Sequence, residues 1–372
     1  MKFLMIAGFA DDVIPFRGDL LNALLAKGLE VHLALPDLIP GSPLEKIFQD
    51  KGIILHHVDM QRAGMNPVAD LKMLWQLILL MKQVKPDIVF TYLIKCVIYG
   101  LMAATLMRVP RRFALITGLG YAFQGEGQRG MLQKLAQGLY ALALKGAHKT
   151  FFQNTDDRDL FKQLGILKPN APTYVVNGSG VNMDYYALAP LPEGAPKFLT
   201  ISRFLIDKGV REYAAAAKIV KAKHPEVSFA IVGWLDENPS AIKQSEMDTW
   251  VNEGTLVNIG RLKDVRPAIV GSSVYVLASY REGVPRSTLE AMSMGRGVVT
   301  TDAVGCKETV EEGENGFKVP VRTVNELAEA MLKIVENPEL IKRFGQKSYE
   351  IVKEKYDVHK VNEVMLREME IS

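Results

Sequence analysis

Short apolar segments alternate with helical segments along the whole chain, and this alternation limits the possible folds more than any other feature. The first half contains predicted strands at residues 2–8, 30–35, 52–58, 88–91, 112–116 and 149–153, separated by helical stretches such as 17–26 and 68–83. The second half contains predicted strands at 197–202, 228–232, 257–260, 273–277 and 297–301. Strands that alternate with helices form parallel sheets covered by helices. The sequence therefore predicts an α/β protein with a doubly wound parallel sheet in each half.

The length of 372 residues favours two domains rather than one. A proline-rich stretch at 188–196 has the composition of an interdomain hinge. We therefore predict an N-terminal domain at 1–187, a C-terminal domain at 188–352 and a helical segment at 353–372 that packs back on the N-terminal domain.

The cysteine content indicates a reducing compartment. Cys96 and Cys306 lie far apart in the sequence, so neither a disulfide framework nor a cysteine metal site is indicated. The six histidines show no ligand spacing, and Asp157 and Asp159 fit a helix start. We predict no metal site and a cytoplasmic location.

Two carboxylates flank a predicted strand-to-helix turn in the second half. A strand at 273–279 runs into a loop with Glu282, and the next helix carries Glu290. Gly283 and Pro285 fit the turn, and Ser287 fits a helix start. Ligands of open α/β sheets bind at the carboxyl ends of strands, so we expect a phosphorylated ligand here, with Glu290 near its ribose. The alternative is a solvated loop charge at 282 and a carboxylate favoured by the helix dipole at 290.

Two cations occupy the same position relative to another predicted strand. Arg203 and Lys208 follow the strand at 197–202 and precede a strongly helical run at 210–221. A guanidinium and an ammonium beside a helix N-terminus suit a diphosphate. Lone cations in loops are usually solvated, but a doubly wound sheet gathers such loops at one edge. The combination predicts an anion site.

Positive charge is concentrated in the first half. Residues 62–149 contain 12 Lys and Arg residues and three acidic residues, a net charge of +9, among many Leu, Met, Trp and Tyr residues. Such a segment suits anionic lipid headgroups or a diphosphate-bearing lipid. The alternative is a solvated basic face over ordinary core helices.

The motifs resemble those of glycosyltransferase family 4, whose retaining members use nucleotide sugars. The resemblance covers nearly the full length. It rests on the spacing of Glu282 and Glu290, on the pair Arg203 and Lys208, and on the stretch 258–262. Within the family, the stretches 15–17, 112–120, 236–240 and 302–306 resemble members that act on polyprenyl-diphosphate-linked saccharides in bacteria. It implies a GT-B fold, in which two Rossmann-like domains face a cleft.

The resemblance also implies roles for residues of the donor site. Arg203 and Lys208 are expected to hold the donor diphosphate and compensate its charge without a metal. Glu290 is expected to bind the ribose, and Glu282 to lie at the donor sugar. The resemblance further implies that the leaving diphosphate assists attack on the same face, so no enzymic nucleophile is expected.

Backbone contacts complete the implied donor site. The base is expected to lie beside Arg261 and Leu262. The sugar and phosphate are expected to contact the backbone of Gly283, Val284, Pro285 and Arg286. No cofactor is expected beyond the donor itself, a nucleotide sugar of the UDP type.

The acceptor is expected in the N-terminal domain. A loop at 8–17, with Gly8, Phe16 and Arg17, is predicted to face the acceptor diphosphate together with Lys95. Many relatives have a histidine where this chain has Thr117 and Gly118, and these two residues are assigned to the acceptor side.

A membrane surface is the second predicted partner of the N-terminal domain. The basic, amphipathic run at 130–149 is predicted to rest on the membrane because its leucines recur at spacings of three and four. These leucines are Leu132, Leu135, Leu139 and Leu142. The expected location is therefore peripheral, at the inner face of the plasma membrane, with no nucleic-acid partner.

The expected reaction is transfer of an N-acetylhexosamine, such as GalNAc from UDP-GalNAc, to a polyprenyl-diphosphate-linked saccharide in bacterial glycan assembly. Another donor (UDP-GlcNAc, UDP-Glc, UDP-Gal or GDP-Man) for capsule, O-antigen or exopolysaccharide synthesis is one alternative. A UDP-sugar epimerase of GT-B fold and a non-catalytic nucleotide-binding protein are others. A nicotinamide dehydrogenase is disfavoured because the first turn, residues 7–11, lacks the glycine fingerprint.

Overall fold

Each half of the chain forms its own parallel sheet. The computed structural model describes residues 1–36, 38–61, 66–118, 129–236, 238 and 240–372. Contacts divide the chain into unit 1, Met1–Ser179 with Val361–Ser372, and unit 2, Gly180–Lys360. Of the predicted features, residues 62, 119–120, 126, 237 and 239 and the side chain of Leu132 lie outside the described part of the chain.

Unit 1 has a seven-stranded sheet in the order β3-β2-β1-β4-β5-β6-β7. Its strands are β1 (Lys2–Ile6), β2 (Glu30–Leu35), β3 (Ile54–His57), β4 (Ile88–Tyr92), β5 (Arg111–Ile116), β6 (Lys149–Phe152) and β7 (Thr173–Val175). Its helices are α1 (Ala10–Ala26), α2 (Pro43–Asp50), α3 (Pro67–Val84), α4 (Ile94–Leu106), α5 (Arg129–Leu144) and α6 (Thr155–Gln163). All six strand pairings are parallel.

Unit 2 repeats this arrangement with a six-stranded sheet in the order β10-β9-β8-β11-β12-β13. Its strands are β8 (Lys197–Ile201), β9 (Ser228–Val232), β10 (Val257–Gly260), β11 (Val274–Leu277), β12 (Gly297–Thr301) and β13 (Gly316–Val319). Its helices are α7 (Val210–Lys223), α8 (Gln244–Asn252), α9 (Arg266–Val270), α10 (Arg286–Ser293), α11 (Val324–Glu336) and α12 (Glu339–Ile351), followed by a π turn (Val352–Tyr356). The last helix is α13 (Val358–Glu368).

The inner strands are largely buried on both faces because each sheet is covered on both sides. Successive side chains of a strand point to opposite faces. In β1, Phe3 and Met5 therefore pack with α1 and α13, whereas Leu4 and Ile6 pack with α3 and α4. The prediction of two doubly wound parallel sheets is confirmed.

Two strands and one helix start were missed. β7 has three half-buried residues and β13 begins with a glycine, so neither gives a clear apolar run. The predicted loop at 8–17 is wrong, because α1 begins at Ala10 and continues through Pro15. Pro15 lies inside this helix although its ring removes one hydrogen-bond donor, a placement that is uncommon in helix interiors.

The C-terminal segment joins unit 1 from residue 361 onward. Lys149 Nζ lies 2.8 Å from Glu368 Oε2, and Arg111 donates to the carbonyls of Met369 and Glu370. The division of the chain falls after residues 179 and 360, where the sequence predicted boundaries after 187 and 352. The proline-rich stretch at 188–196 lies within unit 2.

A fully buried arginine holds part of this stretch against the body of unit 2. The guanidinium of Arg296 donates to the carbonyl oxygens of Ala189, Pro190, Ile269, Val270 and Met294, at 2.6–3.1 Å. Burial lowers its pKa to about 10, so the side chain remains charged at neutral pH. One cation therefore satisfies five carbonyls from three chain segments.

Replacing this arginine is expected to destabilise the protein strongly. Arg296→Met keeps an apolar stem but leaves the carbonyls without their donor, and each orphaned buried polar group costs about 1–3 kcal/mol. We expect a loss of at least about 3 kcal/mol in the free energy of unfolding, measured by urea denaturation. Lys342→Met, on the exposed side of α12, is the control and should change stability little. A loss under about 1 kcal/mol for Arg296→Met would contradict this account.

Candidate functional site

The sheet of unit 2 reverses its strand order between β8 and β11. These strands are hydrogen-bonded neighbours, with Val274 opposite Phe198 and Tyr275 opposite Leu199. In open α/β sheets the connections on either side of such a reversal leave towards opposite faces, which opens a crevice at the carboxyl ends of the strands. The loops that follow β8 and β11 therefore border the expected ligand position.

These two loops are bonded to each other. The backbone N–H of Tyr280 donates to the carbonyl of Asp207 at 2.9 Å, and the Ser279 hydroxyl donates to the same carbonyl at 3.2 Å. Gly209, with φ +68°, lies so close to Ala278 that an added Cβ would be 2.1 Å from the Ala278 carbonyl oxygen. The loop after β8 is thus fixed against the loop after β11.

An ion pair joins two of the predicted site residues. Lys208 Nζ lies 2.5 Å from Glu282 Oε1, and each side chain is 17% exposed. Lys208 belongs to a short 3₁₀ turn, Ile206–Lys208, and Glu282 is anchored by its N–H, which donates to the carbonyl of Val304. The structure therefore brings together a cation and an anion that are 74 residues apart in the sequence.

A second ion pair occupies the first turns of α10. Arg286 Nε donates to Glu290 Oε1 at 2.7 Å, and the two side chains are 17% and 9% exposed. Burial raises the pKa of the neighbouring Tyr186 phenol, and the Glu290 carboxylate adds to this shift. Tyr186 precedes the sheet of unit 2, and no sequence pattern indicated that it lies beside Glu290.

Hydroxyl groups fix α10 to the end of β8. The Tyr275 hydroxyl donates to Ser287 Oγ at 2.6 Å, and the Ser287 hydroxyl donates to the carbonyl of Ile201 at 3.2 Å. Ser287 was predicted to lie at a helix start, and it is the second residue of α10, which begins at Arg286 after Pro285. Its hydroxyl links the two strand ends that border the site.

Arg203 lies at the same edge of the sheet but has a different partner. Its Nη1 lies 3.0 Å from Asp236 Oδ2, and its side chain is 47% exposed. Asp236 follows β9, the neighbour of β8. Arg203 is therefore more accessible than Lys208, and its guanidinium sits over the ends of β8 and β9.

The predicted base-binding residues follow β10. The Arg261 guanidinium stacks over Trp234, 4.6 Å from the ring centroid, and Leu262 packs against the core of unit 2. Trp234 follows β9 and is partly exposed, and the sequence analysis did not single it out. An aromatic side chain at the end of a central strand was the signal that could have identified it.

The predicted acceptor residues lie in unit 1. Gly8 packs against Leu93 and Cys96, where α4 begins after β4. Lys95 Nζ lies 2.8 Å from Asp70 Oδ1 in a mostly buried pair. The structure thus places Gly8 and Lys95 at one point of the sheet, where its order reverses between β1 and β4.

The other acceptor candidates differ in accessibility. Arg17 is buried, with its guanidinium 5.1 Å from the ring centroid of Tyr92. Phe16 is partly exposed on α1, and Thr117 and Gly118 follow β5. The proposed contacts of these residues with an acceptor remain predictions.

Among the residues that the structure describes, no three His, Cys, Asp or Glu side chains are grouped closely enough to hold a metal ion. Within the same residues, no helix is long and apolar enough to cross a bilayer. The metal independence of the reaction remains a prediction.

Two family models match the chain. Residues 7–154 match the model described as "Glycosyl transferase 4-like", and residues 195–337 match "Glycosyl transferases group 1". The chain belongs to glycosyltransferase family 4. The first match covers most of unit 1, and the second contains the ion pairs described above, so the predicted family is confirmed.

Similar proteins agree with this assignment. The chain is 28% identical over 352 residues to the N,N'-diacetylbacillosaminyl-diphospho-undecaprenol alpha-1,3-N-acetylgalactosaminyltransferase of Campylobacter jejuni, covering 91% of this chain and 90% of that one. It is 25% identical to the UDP-Gal:alpha-D-GlcNAc-diphosphoundecaprenol alpha-1,3-galactosyltransferase of Escherichia coli, covering 73% and 72%. The structure of sucrose-phosphate synthase from Thermosynechococcus elongatus superposes with a TM-score of 0.78 at 18% identity, covering 99% and 98%. The fold is therefore GT-B, as predicted.

The contact between Gly209 and Ala278 can be tested with a matched pair of glycines. Gly209 and Gly254 both have φ +68°, but an added Cβ at Gly254 meets no atom within 4 Å. Gly254→Ala should lower the free energy of unfolding only by the backbone strain of a left-handed residue, about 1–2 kcal/mol. Gly209→Ala should lower the free energy of unfolding by more than Gly254→Ala does, because the loop carrying Lys208 must move away from Ala278. Denaturation midpoints measure the difference, and equal midpoints of the two variants would contradict the close contact.

Proposed function

We propose that this glycosyltransferase is a retaining enzyme that transfers an N-acetylhexosamine, such as GalNAc, from a UDP-sugar to a polyprenyl-diphosphate-linked saccharide. The observation that carries the proposal is the convergence of Lys208, Glu282, Arg286 and Glu290 at the β8/β11 reversal of unit 2. Two cations and two carboxylates at this position suit a ligand with a diphosphate and several hydroxyl groups. A nucleotide sugar is such a ligand.

The two cations that follow β8, Arg203 and Lys208, are proposed to stabilise the departing nucleotide. When the bond between the sugar C1 and the diphosphate oxygen breaks, the electron pair goes to that oxygen, and negative charge builds up on the diphosphate. Lys208 and Arg203 are the positive groups at the end of β8 that can compensate it. The acceptor hydroxyl then attacks C1 from the same face, and its proton passes to the leaving phosphate oxygen.

The carboxylates are proposed to bind hydroxyl groups. Glu290 is 9% exposed and paired with Arg286, so its charge is compensated and a free lone pair can accept from a ribose hydroxyl. Glu282 is the corresponding acceptor for the donor sugar. In the segment from Gly283 to Arg286, at the start of α10, the backbone N–H groups of Val284 and Arg286 are proposed to donate to phosphate or sugar oxygens.

The lipid-linked acceptor is supported by the relatives. The names of the Campylobacter jejuni and Escherichia coli enzymes specify sugars carried on diphosphoundecaprenol, and the latter specifies a UDP-linked donor. Their matches extend over most of this chain, including unit 1. We therefore assign the acceptor to unit 1 and the donor to unit 2.

A substrate panel tests the proposal directly. Purified protein is incubated with UDP- and GDP-sugars, with and without a polyprenyl-diphosphate-linked saccharide, and products are identified by mass spectrometry and by NMR of the new linkage. We expect transfer with a UDP-N-acetylhexosamine only when the acceptor is present, with the anomeric configuration retained. Conversion of a UDP-sugar to its epimer without acceptor, or an inverted product, would overturn the proposal.

Removal of one carboxylate should slow transfer sharply. Glu282→Ala removes the group proposed to hold the donor sugar and leaves Lys208 without its partner. We expect the transfer rate to fall by about 10²–10³, since this is the range for a single preorganised polar contact. Glu329→Ala, an exposed carboxylate of α11, is the matched control and should retain the wild-type rate. Equal rates for Glu282→Ala and wild type would contradict a role in catalysis.

Metal independence gives a separate prediction. If Arg203 and Lys208 supply the positive charge at the diphosphate, excess EDTA should change the initial rate less than twofold. Addition of Mg²⁺ or Mn²⁺ to chelator-treated protein is the control. A rate that falls at least tenfold with EDTA and returns with either ion would show that a metal supplies this charge instead.

A further inference from the structure

Helix α3 of unit 1 is apolar on two opposite faces. Its inner face packs in the core through Met73, Leu77, Leu80, Met81 and Val84. Its outer face carries a second stripe, formed by Val68, Leu71, Trp75 and Leu79, which are 77%, 64%, 61% and 47% exposed. Positions three and four apart share one side of a helix, so these four side chains form one continuous strip. A core helix needs only the inner stripe, so the outer one requires a separate explanation.

The exposed charges that α3 itself contributes beside the outer stripe are positive. Within Pro67–Val84, all of which the structure describes, the one acidic residue is Asp70, which is buried and paired with Lys95. Lys72 and Lys82 lie on the exposed side of the helix, and the exposed Lys85 ends it. Lys72 also contacts Asp59 at 2.6 Å. An exposed apolar strip with lysines beside it and no carboxylate of its own matches an anionic, apolar partner.

The neighbouring helices extend this surface. α4 contacts both α3 and α5, so the three helices form one layer on the sheet. α4 is largely buried between them, whereas Leu106 at its end and Leu135 and Leu142 of α5 are exposed. The exposed cations Arg108, Lys134 and Lys145 lie on the same segments. The outer side of this layer thus combines apolar side chains with positive charge.

We propose that the outer face of α3, formed by Val68, Leu71, Trp75 and Leu79 with Lys72, Lys82 and Lys85, docks on the surface of an anionic lipid bilayer. Leucine and valine enter the acyl boundary, tryptophan occupies the interface, and the lysines contact anionic headgroups. The inference deepens the proposed function, because it names the surface that brings unit 1 to a lipid-linked acceptor. It also moves the main membrane contact from the run at 130–149 to α3, with Leu135 and Leu142 as a secondary contribution.

Vesicle binding without any sugar substrate tests the proposal. The full chain is sedimented with vesicles of phosphatidylcholine that contain about 30% phosphatidylglycerol as the anionic lipid, and with vesicles of pure phosphatidylcholine. We expect binding to the anionic vesicles, weakening with added salt, and a blue shift of tryptophan emission that is lost in Trp75→Phe. Absence of binding to anionic vesicles at low salt would overturn the proposal.

Paired variants locate the contact. Leu71→Gln/Leu79→Gln should weaken partitioning about tenfold or more, since it removes two of the four apolar side chains. Lys82→Glu/Lys85→Glu should also weaken it about tenfold or more, and should reduce its salt dependence. Val257→Gln, which changes an exposed valine of β10 in unit 2, and Lys223→Glu, at the end of α7, are the matched controls. Wild-type partitioning by the α3 variants, with circular dichroism unchanged in all of them, would overturn the assignment to α3.

Two further measurements separate this proposal from others. If the wild type forms a concentration-dependent dimer in light scattering and Leu71→Gln/Leu79→Gln abolishes it, the stripe is a self-association surface and the membrane proposal fails. Transfer to a short-chain, water-soluble acceptor should be unchanged in the α3 variants, whereas transfer to the same saccharide in vesicles should fall. If the wild type binds vesicles but transfers no sugar to any acceptor, the proposed function fails and the membrane proposal stands.

Discussion

The contact between the loops that follow β8 and β11 determines the geometry of the candidate donor site. Adjacent parallel strands bring their carboxyl ends to the same edge of the sheet, but they do not fix the loops beyond those ends. Here the Asp207 carbonyl accepts from Tyr280 and Ser279, and Gly209 packs directly on Ala278. The positions of Lys208 and Glu282 follow from this contact, because each lies within a few residues of it.

Much of this arrangement was predictable from the sequence. The alternation of strands and helices gave both sheets, and the position of Lys208 and Glu282 after two strands indicated one shared edge. The start of α1 was missed: residues 8–17 were predicted as a loop, whereas the helix begins at Ala10 and contains Pro15. β7 and β13 were missed because three or four residues without a continuous apolar run give no clear strand signal.

Other features depend on packing that a linear pattern does not contain. Tyr275 looks like any core residue of a strand, yet its hydroxyl links Ser287 to the end of β8. Tyr186 reaches Glu290 from a segment with no regular structure, and Trp234 contacts Arg261 only because β9 and β10 are neighbours. The double-sided character of α3 was also hidden, because an apolar helix without known neighbours does not show which of its faces is covered.

The ion pair between Lys208 and Glu282 bears on what the donor must supply. Lys208 and Glu282 are mostly buried, and separating such a pair leaves a charge uncompensated, which is costly. A diphosphate that attracts Lys208 therefore weakens its contact with Glu282, and the carboxylate then needs other donors. In the proposed arrangement, a nucleotide alone provides no hydrogen-bond donor beside Glu282. The hydroxyl or amide groups of an attached sugar can donate to this carboxylate. In the proposed arrangement, this pair would couple recognition of the diphosphate to recognition of the sugar, and it would favour an intact nucleotide sugar over the free nucleotide.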